Sequence, residues 1–208
     1  MYAENTAIIF LLAVLILAYL GLLERVLERM HLNRTQALVI LLALVLGSGL
    51  PPISLVAGLK INVGGMLIPA GVCVYLLVKA DTAVEKGRVL LATLITTGIM
   101  ASVERLLPLE RGALFFDLDA LYFPAIVAGL TAYLLGRSRR ASFIAGILSI
   151  LLLDLIAWIE NTIRGLAGAA VELGGGGVFG GAVLAGFFAV LLAEVVGEIR
   201  ERIWRGAS

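Results

Sequence analysis

A single cysteine and a single histidine occur among the 208 residues, and lysine and glutamine are nearly as scarce, with three and one. Cys73 alone permits neither an internal disulfide nor a cysteine ligand set. His31, among Arg29, Asn33 and Arg34 in a short polar loop, leaves a conventional zinc site and a Ser-His hydrolase without their parts. No Walker-type phosphate loop occurs, and the last apolar segment has no lysine for a retinal Schiff base. No cofactor is expected. Charge is sparse as well: 15% of residues are charged and 61% hydrophobic, with mean hydropathy +1.07. That is more apolar material than one water-soluble core of this size can bury.

What is present is a series of apolar runs separated by short charged clusters, which favours membrane helices over the alternating strands of a barrel. The pattern predicts an all-α polytopic bundle, one integral membrane domain over residues 1–208, with seven spans: Ala7–Leu23, Ala37–Leu50, Asn62–Val78, Val89–Val103, Ala120–Leu135, Ala141–Ile159 and Val178–Val196. Several are shorter than the roughly 20 residues that a 30 Å hydrocarbon core requires, so irregular ends are expected. Basic residues follow the first span rather than precede it, so it reads as an anchor and not as a secretory signal.

Loop charges give the orientation. Alternation places Arg25, Arg29, Arg34, Lys79, Lys86, Arg88, Arg137, Arg139, Arg140, Arg200, Arg202 and Arg205 on one side, and only Lys60, Arg105, Arg111 and Arg164 on the other. By the positive-inside rule the amino terminus is outside and the carboxyl terminus inside, as in a multi-pass protein of a prokaryotic plasma membrane. Glu4, Glu104, Glu110, Asp117, Asp119, Glu160 and Glu172 then make the outer mouth negative, which favours cations.

Glycine and proline gather on that outer half: Gly47, Gly49, Pro51 and Pro52 at the end of span two, Gly64, Gly65 and Pro69 at the start of span three, Pro124 in span five, and Gly174 to Gly177 with Gly180 and Gly181 around the start of span seven. Broken backbone at membrane depth is tolerated where protein or a water-filled cavity satisfies the freed groups. Glycine is also common in membrane helices simply because it lets them pack closely. The glycines opening spans three and seven echo one another, as they would if spans one to three and five to seven were parallel repeats.

The sixth apolar run carries the one charge that a bilayer should refuse, Asp154. An intramembrane carboxyl is a candidate functional group. On a helix, Trp158 and Asn161 share its stripe, four and three residues apart. Span four adds Thr93, Thr97 and Glu104 on a second stripe, which either lines a hydrated path or bonds back to its own carbonyls. Asp117 and Asp119, beside the aromatic belt of Phe115, Phe116, Tyr122 and Phe123, either cap span five or supply a carboxyl partner for Asp154. Lys60, next to Asn62 at the end of the outer loop, and Arg105 are cations that could instead neutralise Asp154 and make it structural.

Three stretches, INVGGMLIP, IAGILSILLLDL and GGGGVFGGAVLAGFFAVLLA, resemble an uncharacterised family of bacterial and archaeal multi-pass membrane proteins, a domain of unknown function. The resemblance covers spans three, six and seven. It implies a family motif Gly-Ala-Asp-Leu in span six, whose acid Asp154 matches, and Gly-Gly-Ala-Gly-x-Phe-Asp-Gly in span seven, whose acid falls on Gly180. This chain therefore lacks the second acid that a two-carboxyl chemistry would take from the family.

The leading expectation is a small ion- or solute-transporting or channel-like protein in which Asp154 coordinates or couples. The first alternative is an intramembrane aspartyl hydrolase pairing Asp154 with Asp117 or Asp119. The second is a non-catalytic assembly subunit with glycine faces against partner helices. The expected partners are the lipid bilayer and a cation or small solute, with a homo-oligomer compatible and no nucleic acid.

Overall fold

The structure is a computed structural model. It describes residues 16, 18, 20–22, 24, 26–28, 30, 32–80, 82–106, 122–136, 138–166 and 170–206, with side chains for all but 122–124 and 197–206. Most of the first expected span lies outside the described residues, as do Asp117 and Asp119. Two compact units are distinguished, 1–42 and 43–208. In the first, Arg34 approaches Glu24 at 3.7 Å and Glu28 at 4.0 Å, exposed pairs of little energetic weight. The boundary falls inside helix α1 (Arg34–Ser48).

The second unit is mostly helical. It contains α2 (Ile68–Val78), α3 (Ala83–Leu106), α4 (Tyr122–Gly136), α5 (Arg139–Ile163) and α6 (Gly181–Gly206). Local chemistry sets several of their ends. Thr82 accepts from the Glu85 N–H at 3.2 Å and caps α3; Ser138 accepts from the Ala141 N–H at 3.1 Å and caps α5. Gly165, at φ +69°, ends α5 in a Schellman turn, with the Leu166 N–H donating to the Asn161 carbonyl and the Gly165 N–H to that of Thr162.

Among the described residues two helices are long and apolar enough to cross a membrane, α3 and α5. The 15 residues of α1 rise only about 22 Å at 1.5 Å each. The apolar part of α6 stops at Val196, although the helix continues to Gly206.

The all-α expectation needs one correction. Residues 53–61 form a hairpin, β1 (Ile53–Val56) and β2 (Leu59–Ile61), closed by Ala57 and Gly58 with Gly58 at φ +76°. A third strand, β3 (Val171–Leu173), joins β2 in parallel register, Lys60 opposite Glu172. A parallel pair cannot be closed by a tight turn, and here α2 to α5 intervene between its strands. Leu59, Ile61 and Leu173 bury one face of this small sheet against Met66, Leu155 and Trp158.

Span three is also not one regular helix: Val63–Leu67 is a π-helical turn leading into α2. Span seven likewise opens on a 3-10 turn, Gly177–Phe179, before α6 begins at Gly181. The two irregular segments follow one plan, strand then glycine-bearing turn then helix, and the turns pack against each other.

Helix α5 is central. Every residue from Ala141 to Ile147 is buried, because α3, α4 and α6 surround it there. Close approach depends on small residues. Ala92, Ala132, Ala145 and Ala189, one from each of α3, α4, α5 and α6, form one layer. A methyl on Gly146 would lie 2.8 Å from the Ala185 carbonyl oxygen and 3.0 Å from the Gly186 Cα, whereas one on Gly98 would meet nothing within 4 Å. Gly146→Ala should therefore cost roughly 1–3 kcal/mol by forcing α5 from α6. Gly98→Ala should be neutral or slightly stabilising, by up to about 1 kcal/mol, through helix propensity. Thermal unfolding of the purified protein measures both, and equal midpoints would contradict this packing.

Candidate functional site

The polar residues of the second unit converge where the two irregular turns meet. Asn62 follows β2 and caps the π-helical turn: its Oδ1 accepts from the Gly65 N–H at 2.9 Å, and its Nδ2 donates to Glu172 Oε1 at 3.0 Å. One buried amide thus ties the turn after β2 to the strand beside it. The Asn62 N–H also donates to the Leu173 carbonyl at 3.1 Å, extending the parallel pairing by one bond.

Beyond β3 the chain turns through Gly174 (φ +68°), Gly176 (φ +82°) and Gly177 (φ +58°). These left-handed positions explain the glycine run, because a Cβ is disfavoured at each. Gly65 and Gly174 touch backbone to backbone, so that a methyl on either would overlap the main chain of the other. Ser48, at the end of α1, secures the far end of the loop: its hydroxyl donates to the Leu44 carbonyl at 2.6 Å and accepts from the Val178 N–H at 2.8 Å.

Asp154 closes the arrangement. Its Oδ2 accepts from the Gly174 N–H at 3.1 Å, so the carboxylate of α5 holds the glycine loop at the point where that loop meets Gly65. Among the described residues no cation pairs with it. Arg105 Nη2 lies 2.5 Å from Glu160 Oε1, and Arg164 Nη2 lies 3.8 Å from Glu160 Oε2, so both of these guanidinium groups serve Glu160. Lys60 is exposed on β2. Glu104 stands close enough for its charge to act on Asp154, and Glu160 for its charge to act on Glu104. The carboxyls thus form a series along α3 and α5, of which Glu160 has the cations.

The other predicted residues fall into different roles. Trp158 packs on the small sheet, its Nε1 donating to the Ala57 carbonyl at 3.4 Å, and so holds the hairpin to α5. Asn161 is half-buried and gives its carbonyl to the Schellman turn. Thr93 donates to the Val89 carbonyl at 2.9 Å, and Thr97 to those of Thr93 at 2.9 Å and Ser149 at 3.3 Å. Both threonines are buried, and their hydroxyls are engaged by carbonyls rather than aligned along an opening to Glu104. Asp117 and Asp119 lie outside the described residues.

Ser48 and Glu172 are the site residues that sequence reasoning did not select. Ser48 had one available signal, a small hydroxyl between Gly47 and Gly49 just before Pro51 and Pro52. Glu172 had none without the pairing of β2 with β3.

Two substitutions test this junction. Gly174→Ala places a Cβ into the Gly65 backbone at a positive φ and should cost on the order of 2–4 kcal/mol. Asn62→Asp keeps the acceptor for the Gly65 N–H but sets a carboxylate against Glu172. That variant should lose stability at pH 7 and recover part of it in acid, once the introduced carboxyl takes a proton and the repulsion ends. Unfolding midpoints measured across pH would refute the contact if the wild-type and Asn62→Asp profiles ran parallel.

No curated protein and no solved structure matches the chain. The profile of the family described as "Protein of unknown function (DUF1614)" matches residues 22–192, a stretch that contains α1 to α5, all three strands and every residue of the junction. The chain belongs to that family.

Proposed function

We propose that this is an integral membrane protein of seven spans, amino terminus outside and carboxyl terminus inside, which passes a cation or compact polar solute across the bilayer with Asp154 as the carboxylate that holds it. One observation carries the reading. Asp154 lies within a helix apolar enough to span, has no cationic partner among the described residues, and stands where two interrupted helices meet. A structural carboxylate in oil would be expected against a guanidinium, and Arg105 and Arg164 serve Glu160 instead.

Magnitudes support the same reading. A carboxylate at the centre of a spanning helix costs about 2.5–3.5 kcal/mol on insertion scales. A hydrogen bond to a charged group returns roughly 1.5–3 kcal/mol. The Gly174 N–H offsets much of that cost, and Oδ1 keeps its capacity to coordinate.

Lipid is the natural surrounding for the outward faces. On α3 the buried positions Val89, Ala92, Thr93, Thr96, Thr97 and Met100 form one stripe, while Leu90, Leu91, Leu94 and Ile95 are 46–62% exposed. In water such a face would be an aggregation surface; in a bilayer it is solvated. A prokaryotic plasma membrane, a single integral domain and self-association into a homo-oligomer are parts of this proposal. Glu104 serves as the next carboxyl toward the outer mouth, with Asn62 fixing the glycine turn; Thr93 and Thr97 act as packing residues.

The test is flux in proteoliposomes, with proton, sodium and potassium gradients applied separately. Asp154→Asn keeps an oxygen acceptor for the Gly174 N–H and removes only the charge, so the fold should persist while flux of the carried ion falls by about tenfold or more, equivalent to about 1.4 kcal/mol. Undiminished flux in Asp154→Asn would overturn the proposal, and a wild-type protein that moves none of the three ions would overturn its cation form.

A further inference from the structure

Residues opposite one another in a sheet project to the same side, so the pairing registers sort the small sheet into two faces. Ile53 opposite Ile61, Val56 opposite Leu59, and Leu173 opposite Ile61 make one face apolar. Ser54, Lys60 and Glu172, also opposite one another, make the other face polar. Only part of the apolar face is covered. Leu59, Ile61 and Leu173 are buried against Met66, Leu155 and Trp158, whereas Ile53 and Val56, on the same face, stay 48% and 54% exposed. Strand β1 thus overhangs α5 with its apolar side bare, and Leu55 adds a third exposed apolar side chain.

Trp158 fixes the level of this overhang. Its Nε1 donates to the Ala57 carbonyl in the turn that closes the hairpin, and it precedes Glu160 by two residues, about 3 Å along α5 at 1.5 Å each. Glu160, with Arg105 and Arg164, forms a charged group near the end of that helix. If α5 spans a bilayer, such a group marks the headgroups, and the hairpin turn lies just beneath them, at the boundary where tryptophan is enriched.

Lipid or a strand from a second copy could cover the bare side, and the edge of β1 favours lipid. Among the described residues no strand pairs with its outer side. The register slips at Leu55, between Ser54 and Val56, and an irregularity of that kind turns an edge away from further pairing. An open edge is not tolerated in the hydrocarbon core, but water and headgroups satisfy it at the boundary. We propose that the 53–61 hairpin is an interfacial lipid anchor, with Ile53 and Val56 resting on the acyl boundary of the outer leaflet and the exposed Lys60 facing the lipid phosphates. The leaflet then steadies the strand that leads into Asn62 and the glycine turns. This inference rests on the membrane part of the reading above and not on transport or on Asp154.

The test is quenching of a bimane label on Ile53→Cys, Val56→Cys, Lys60→Cys and Leu94→Cys, each in the full chain reconstituted into vesicles of phosphatidylcholine and phosphatidylglycerol. Cys73 is fully buried and takes up no label, and the unsubstituted chain serves as the blank. All four positions are exposed, so the substitutions leave the core intact. The Ile53→Cys and Val56→Cys labels should lose about half or more of their emission to lipids carrying a nitroxide high on the acyl chain, and little to iodide in the water. Lys60→Cys should show the reverse. Leu94→Cys, on the outward face of α3, reports on the membrane itself. Iodide quenching at 53 and 56, with lipid quenching at 94, would overturn the anchor and leave the membrane reading standing. A label at 94 that responds to iodide and not to lipid overturns both. Labels at 53 and 56 shielded from both quenchers also overturn the anchor, and a disulfide-linked dimer of Ser54→Cys would then identify a second copy as the cover.

Discussion

The contact of Gly65 with Gly174 is the constraint from which the rest of the second unit follows. Two stretches of main chain, more than a hundred residues apart in sequence, approach until neither has room for a methyl group. Such an approach buries peptide groups, and buried peptide groups must be paired. The surrounding side chains meet that demand from three directions: Asn62 takes the Gly65 N–H, Asp154 takes the Gly174 N–H, and Ser48 takes the Val178 N–H. The parallel pairing of β2 with β3 brings both strands to this point in register, so that the turn after each meets the other.

Asp154 therefore has a structural task whatever else it does. Its bond to Gly174 ties an acid in a spanning-length helix to an interrupted loop. A guanidinium partner would have neutralised it permanently. Glu160, six residues on, has two such partners and shows what a fully paired acid looks like in the same helix. The two acids differ in position: Glu160 lies near the helix end, within reach of Arg105 and Arg164, while Asp154 lies further into the helix, where its donor is the Gly174 backbone N–H.

Away from that junction, the helical core is held by small residues. Gly129, Gly146 and the alanine layer let α4, α5 and α6 approach until side chains meet main chain. Where lipid replaces water, apolar burial between helices contributes little, and such close contacts supply the association energy. Larger apolar side chains face outward from α3, the reverse of the arrangement in a water-soluble bundle.

Composition and period were enough to reveal helices in every apolar run that the structure describes, because hydropathy and helical spacing are local properties. Asp154 could be singled out for the same reason, as could the glycine and proline breaks, since one charge in an apolar run or one cluster of glycines is visible without knowing what lies beside it. Partners were another matter. The pairing of residues 59–61 with 171–173, the assignment of Arg105 to Glu160 rather than to Asp154, and the recruitment of Ser48 all depend on separations that no local pattern encodes. The hairpin at 53–61 carried a short-range sign, β-branched residues around a glycine turn, but in so apolar a chain it was submerged as a connection between spans. Thr93, Thr97 and Glu104 share a stripe in sequence; tertiary packing turned the two hydroxyls onto carbonyls and left the acid exposed, because only the arrangement of neighbouring helices decides which face of α3 is dry.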